Sequence, residues 1–210
     1  MRLVVGSELT NEFKQAELAR HLDALSGFVE RARETGVRAP SCTMILRSAS
    51  STPAQALIAM KDPLADAGVR ASTILAHLEP QDELRQLFDT LSALSPDAPA
   101  TALIRWARNP RLLDAHEQLT YGADMCWSGD AMRRDADKRN PLVLFHMDAP
   151  DAALLAQRAF TALWGASVQV PERHLLPRSG AKPSGAYERT ADAAITALRP
   201  HVQGWPLVRH

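Results

Sequence analysis

The chain has 210 residues, of which 46% are hydrophobic and 23% are charged, a composition typical of a globular domain rather than of a disordered chain. Its 24 lysine and arginine residues equal its 24 aspartate and glutamate residues, which argues against a nucleic-acid-binding or membrane-surface protein that works through net charge. No apolar stretch approaches the roughly 18 residues of a membrane-spanning helix, and no secretory signal is evident. We therefore expect a cytoplasmic protein.

The first part of the chain predicts one helix followed by one strand. Apolar residues recur at helical spacing over 18–32, with Ser7 or Thr10 as candidate N-caps and Gly36 as the stop. The short apolar run 42–46 is rich enough in β-forming residues to predict a buried strand.

A second helix is indicated by a capping box made of Thr52 and Gln55, with a proline at the first helical position between them. We expect this helix to break at 62–63. A strand within 69–76 and a third helix with apolar residues over 84–94 follow. Strands that alternate with helices predict a largely parallel or mixed sheet with helices on its faces.

Four short strands are then predicted in succession, over 102–106, 116–121, 124–128 and 142–147, with turn-forming residues between them. A further helix opens at 148–151. Its predicted apolar stripe consists of Leu155, Ala159, Phe160, Leu163 and Trp164. The fold class we expect is α/β, with a mixed β-sheet flanked by helices.

The domain organisation is indicated by the prolines and glycines that accumulate in the last part of the chain, because both residue types interrupt helices and strands. We expect one α/β domain over residues 1–166 and a proline-rich C-terminal extension over 167–210, which has one short helix near 191–198 and wraps its own body or a partner. Cys42 and Cys126 each lie in a predicted strand and form no CxxC motif, so we expect two buried thiols rather than a disulfide or a zinc ligand pair.

Several familiar catalytic motifs are absent from the sequence. It contains no GxGxxG, GxxxxGK[ST], HExxH or GxSxG, which argues against dinucleotide, nucleoside-triphosphate, zincin and serine-hydrolase chemistry. The densest polar stretch begins at His116. In a strand, His116, Gln118 and Thr120 would face one side, and Glu117 and its alternate neighbours would face the other.

Three stretches of the second half resemble motifs of the phospholipase D superfamily. They are His116-x-Gln118, the segment S-G-D-A-M at 128–132, and the end of the last long helix, F-T-A-L-W at 160–164. In the family, the corresponding features are an HxK motif with an aspartate shortly after it, a GSxN-type segment and an F-x-x-L-W helix. The resemblance implies a phospholipase D-like fold over residues 1–166, although the motifs themselves span only 116–164.

The chain departs from the family pattern at positions that matter for chemistry. Gln118 stands where members have lysine, and Ala123 stands where they have aspartate, with Asp124 one residue late. Only His116 and Gly129 match directly.

The resemblance also implies roles for individual residues. In the family, one histidine attacks phosphorus, a second protonates the leaving oxygen and lysines neutralise the phosphate. Because this chain has a single motif, the resemblance implies a homodimer in which two His116 side chains face each other. The candidate catalytic residues are His116, Gln118, Glu117 and Asp124, and the candidate phosphate-binding residues are Ser128, Gly129, Arg133 and Arg134.

Two functional hypotheses follow. Gln118 brings no positive charge to a phosphodiester transition state, and loss of such a charge costs several kcal/mol of stabilisation. We therefore favour a divergent protein with weak or lost phosphodiesterase activity that acts as a structural, regulatory or phosphate-ligand-binding protein. The alternative is an active phosphodiesterase or phosphotransferase that uses His116 across the homodimer. Neither hypothesis implies a cofactor or a metal ion.

Overall fold

A computed structural model describes residues 4–109, 116–129 and 144–176 of the chain. The strands, in chain order, are β1 (Ser41–Leu46), β2 (Arg70–Leu75), β3 (Ile104–Trp106), β4 (Glu117–Tyr121), β5 (Met125–Gly129), β6 (Leu144–His146) and β7 (Val168–Gln169). The helices are α1 (Val4–Thr35), α2 (Thr52–Ala59), α3 (Lys61–Asp66), α4 (Gln81–Leu94), α5 (Ala100–Leu103), α6 (Pro150–Ala166) and α7 (Glu172–Leu175).

The seven strands form one mixed sheet in the order β6-β5-β4-β1-β2-β3-β7. β1, β2 and β3 are parallel to one another, whereas β4 pairs antiparallel with β1. β5, β6 and β7 each join the sheet by antiparallel pairing. The α/β prediction of a mixed sheet with helices is confirmed.

One face of the sheet carries most of the hydrophobic core. Alternate residues of β1, including Met44 and Leu46, are fully buried with Leu25 of α1, Leu57 of α2 and Leu87 of α4 in a single cluster. Because side chains alternate along a strand, the next residues point to the opposite face. There the cover comes from α6, whose Phe160 packs with Ile45, while Ala153 and Ala156 pack with Cys126.

The buried side of α6 differs from the predicted stripe. Of the predicted residues, Phe160 is buried and Leu163 and Trp164 pack beside it, whereas Leu155 and Ala159 are exposed. Ala153 and Ala156, which were not predicted, are also buried. The packed face of α6 thus combines two small residues near its start with aromatic and aliphatic side chains near its end.

Both predicted helix caps in the first part of the chain are wrong. α1 already begins at Val4, so Ser7 and Thr10 lie inside the helix. The N-cap of α2 is Ser51 instead of Thr52, and Gln55 donates its side-chain hydrogen bond to the carbonyl oxygen of Ala49. A capping box does not form because each of its polar groups has a partner elsewhere.

The predicted interruption of the second helix occurs slightly earlier than expected. The chain bends at Met60, and Pro63 lies within the first turn of α3 rather than at a break. Proline is tolerated in a first turn because the amide hydrogen that it lacks has no partner within the helix there. The predicted stop at Gly36 is confirmed, with a φ of 60° that suits glycine.

The compact unit runs from Met1 to Pro177, past the predicted domain boundary at 166. Its last described elements are β7, which pairs with β3, and α7, which packs on α4. The predicted short helix near 191–198 lies outside the described residues. Cys42 and Cys126 are buried free thiols, as predicted. None of the helices described in 4–109, 116–129 and 144–176 is both long and apolar enough to cross a membrane.

Candidate functional site

The strand order brings several chain connections to one edge of the sheet. The parallel strands β1, β2 and β3 all end there, β4 starts there because it runs antiparallel to β1, and β5 ends there beside β4. We call this the carboxyl edge. In open α/β sheets, ligands bind at the carboxyl ends of the parallel strands, where the connections diverge.

Five of the predicted site residues lie together at the carboxyl edge, namely His116, Glu117, Gln118, Ser128 and Gly129. His116 is exposed and directly precedes β4. Gln118 is half-buried and pairs with Ser128 of β5, while Gly129 pairs with the residue that follows His116. The sheet register therefore brings the His116-x-Gln118 stretch beside the 128–129 stretch.

Gly129 has a structural reason to be glycine. A Cβ atom at this position would lie 2.3 Å from Cη2 of Trp127 and 2.5 Å from its Cζ2. The indole ring, which is fully buried, folds back over the backbone of Gly129. The absence of a side chain at position 129 therefore allows the Trp127 ring to occupy the core next to the carboxyl edge.

Glu117 is a buried anchor rather than a surface carboxylate. Its side chain is 3% exposed, and its Oε1 accepts hydrogen bonds from the Ser51 hydroxyl at 2.6 Å and from the Arg47 amide at 2.7 Å. These two donors belong to the loop between β1 and α2. Glu117 therefore fixes that loop to the start of β4, next to His116.

Burial raises the pKa of the Glu117 carboxyl, and the nearby carboxylate Glu17 raises it further. The hydrogen bonds from Ser51 and from the Arg47 amide act in the opposite direction. Burial likewise raises the pKa of Glu17, whose Oε2 accepts a hydrogen bond from the Thr52 hydroxyl at 3.2 Å. Two carboxyl groups, from α1 and β4, thus accept hydrogen bonds from the hydroxyl groups of the two residues at the start of α2.

Asp124 does not lie near His116. It belongs to the turn between β4 and β5, at the opposite edge of the sheet, where its carbonyl oxygen accepts a hydrogen bond from the Ala149 amide. Asp124 lies across the turn from Gly122, and the six residues from His116 to Gly122 correspond to roughly 20 Å at about 3.4 Å per residue. The hairpin carries the two residues to its two ends, so Asp124 does not contact His116 within one chain, and its catalytic role stays a prediction.

Arg133 and Arg134 lie outside the described residues. The predicted role of the two arginines in phosphate binding stays a prediction.

Three basic side chains that no sequence motif indicated also lie at the carboxyl edge. Arg47 follows β1, His77 follows β2, and Arg108 lies two residues beyond β3, with its guanidinium carbon 5.7 Å from the centroid of the Trp106 ring. All three are exposed, as is Glu79 on the connection after β2. Their position just after predicted strands was the signal that could have identified them, because parallel strands end at a common edge.

The arrangement is suited to holding an anion. Arg47, His77, Arg108 and His116 come from three connections, because Arg108 and His116 stand at the two ends of the connection between β3 and β4. The strands that they adjoin are neighbours in the sheet, about 5 Å apart. No group of three histidine, cysteine, aspartate or glutamate side chains close enough to hold a metal ion occurs among the described residues. In comparisons with protein-family models, curated proteins and solved structures, nothing matches the chain.

Proposed function

We propose that this protein binds a phosphate-bearing ligand at the carboxyl edge of its sheet and is a divergent phospholipase D-like protein with weak or lost phosphodiesterase activity. The observation that carries the proposal is the sheet register, which brings His116 and three other basic side chains to one edge, at the ends of four adjacent strands. Arginine suits this role because its planar guanidinium can donate two hydrogen bonds to one phosphate group.

The chemistry of the edge supports binding more than turnover. His116 is exposed and so can reach a ligand, but Gln118 supplies no cation beside it. Glu117, the nearest carboxyl, is buried and already accepts two hydrogen bonds. A phosphodiester bound here would meet positive charge chiefly from Arg47 and Arg108, which follow other strands.

The binding proposal is tested by calorimetric titration and thermal unfolding with inorganic phosphate and with a short phosphodiester. Replacing Arg47 by glutamine should weaken binding about tenfold, because one charge-assisted hydrogen-bonding group is worth about 1.5 kcal/mol or more. Arg38→Gln is the matched control, since Arg38 is exposed and precedes β1 at the opposite edge. Equal binding by wild type and both variants would refute a site at the carboxyl edge.

The active-enzyme alternative rests on His116, which the geometry leaves accessible. Hydrolysis of a chromogenic phosphodiester by wild type and by His116→Ala separates the two functions. We expect no difference in rate between them. A rate that falls in the variant would favour an active phosphodiesterase, with the second histidine supplied either by another copy of the chain or by His77, about 10 Å away across two strand spacings.

A further inference from the structure

The outer side of α6 carries an exposed stripe that is opposite to the side packed on the sheet. Asp151, Leu154, Leu155 and Arg158 are spaced i, i+3, i+4 and i+7, so they share one side of the helix. Leu154 is 45% exposed and Leu155 is 65% exposed. We call these four residues the α6 stripe. Two adjacent exposed leucines on a helix that already buries its other side are the pattern of a helix that packs on a second surface.

We propose that the α6 stripe is the contact surface between two copies of this chain, with the two α6 helices antiparallel about a twofold axis that passes between Leu154 and Leu155. In this arrangement Leu154 of each copy packs against Leu155 of the other. The same axis places Asp151 of each copy opposite Arg158 of the other, because both residues lie equally far from the centre. The stripe is therefore complementary to itself in charge as well as in apolar character, which is the requirement for an isologous interface.

The charged ends of the stripe are available for such a contact. Neither the Asp151 carboxylate nor the Arg158 guanidinium has a hydrogen-bond or ion-pair partner within the part of the chain that the structure describes. They cannot pair with each other within one helix, since seven residues correspond to a rise of about 10 Å. A second copy supplies the partner that each lacks.

This contact is independent of the proposed ligand site. The Ala149 amide donates to the carbonyl oxygen of Asp124 at 2.7 Å, and Gln157 donates to the carbonyl oxygen of Gly122 at 2.8 Å. The stripe therefore lies toward the edge of the sheet that is opposite to His116. A dimer formed through the stripe leaves the two His116 side chains apart.

The test is sedimentation velocity of the full chain over about 1 to 200 μM, a range suited to a small helix-pair interface. Wild type should form a dimer that weakens with added salt. Asp151→Arg places arginine opposite arginine at both ends of the interface, and Arg158→Asp places aspartate opposite aspartate. Each variant alone should dissociate with a dissociation constant raised on the order of tenfold or more.

An equimolar mixture of the two variants is the decisive sample. In a mixed pair, both ends again bring an arginine opposite an aspartate, so the dimer should return, and the double variant D151R/R158D should dimerise alone. Circular dichroism and thermal unfolding confirm that each variant is folded, and Leu154→Gln provides a second, uncharged disruption.

Three results would overturn the proposal. The first is a wild type that stays monomeric at every concentration, as expected if another part of the chain covers the stripe. The second is single variants that dimerise like wild type, and the third is a mixture of the two variants that remains monomeric. Phosphate binding by the same variants, measured separately, should not change.

Discussion

His21 shows how a single buried residue can carry pH dependence without belonging to the candidate site. It is fully buried, with its ring centroid 4.7 Å from that of Trp127 and 5.2 Å from that of Phe145. Its Nδ1 lies 3.4 Å from the Tyr121 hydroxyl oxygen, and its Nε2 has no hydrogen-bond partner among the described residues. Burial lowers the pKa of His21 from 6.5 to about 4.

We predict that His21 makes the fold less stable in acid. The folded core accepts the neutral ring, so this contribution is complete above about pH 6.5 and is lost as the pH falls toward 4, a total of about 3 kcal/mol. Replacing His21 by phenylalanine keeps an aromatic ring but removes the titration. Urea unfolding at about pH 7 and about pH 4.5 should show a much smaller loss of stability in the variant than in wild type.

The comparison of wild type with His21→Phe cancels the contributions of the other titrating groups to the pH dependence of stability. The pKa values of Glu17 and Glu117 are raised by burial, so these carboxyl groups favour the folded state as the pH falls, and they do so in both proteins. Identical pH profiles for wild type and His21→Phe would contradict the assignment of acid sensitivity to His21.

Residue types alone could identify some of this chemistry. The period-two pattern of β4 correctly predicted that Glu117 and Gln118 face opposite sides, since strand geometry depends only on local covalent structure. The partners of Glu117 could not be predicted, because Ser51 and Arg47 are about 70 residues away in the chain and meet it only when β4 pairs beside β1.

Among the elements, β5 depends on the close fit between Trp127 and Gly129. We predict that Gly129→Ala lowers the free energy of unfolding by about 1 to 3 kcal/mol, because the added methyl group overlaps the buried indole and forces it to move. Chemical denaturation measures the change.

Gly165→Ala is the matched control for this substitution. No atom outside its own helix surroundings lies within 4 Å of a Cβ at Gly165 in α6. Alanine is favoured over glycine inside a helix by about 0.5 to 1 kcal/mol, so this variant should be at least as stable as wild type. Equal effects of the two substitutions would show that the Trp127 contact does not constrain position 129.

The long elements were predictable from periodicity and Gly36 correctly marked the end of α1, whereas the starts of α1 and α2 were not predictable. The Leu84 to Leu94 pattern correctly indicated α4, because a continuous apolar stripe over three turns has few alternative structures. The α2 cap was missed because Ser51 donates to Glu117 and Thr52 donates to Glu17. Here the hydroxyl groups that could cap the helix bind carboxylates from distant parts of the chain, and only the tertiary structure shows which partner they take.

At the scale of the whole molecule, the sheet order determines which strands are protected. β1 lies between β4 and β2, so its backbone is paired on both sides, whereas β6 and β7 are the outermost of the strands that the structure describes. We predict that amide hydrogens of β1 exchange with solvent at least about 100-fold more slowly than those of β6 and β7, because the free energy of local opening is smaller for edge strands.

Hydrogen-exchange mass spectrometry checks this order, with peptides from β1, β6 and β7 compared in one experiment. Exchange in β6 as slow as in β1 would contradict the order and would indicate that a further strand pairs with that edge. The dimer proposed through the α6 stripe leaves this prediction unchanged, because it places a helix rather than a strand at the contact.

The sequence by itself determined the class of the fold, because alternating helix and strand patterns arise from local geometry and from the separation of apolar and polar residues. It also indicated His116 and its neighbours as the polar stretch to consider. Only the tertiary structure decided which residues share the carboxyl edge, since Arg47, His77 and Arg108 become neighbours of His116 through strand order. The same pairing moved Asp124 to the opposite edge and made Glu117 an internal anchor, because the distances that decide chemistry are set between strands that are remote in the chain.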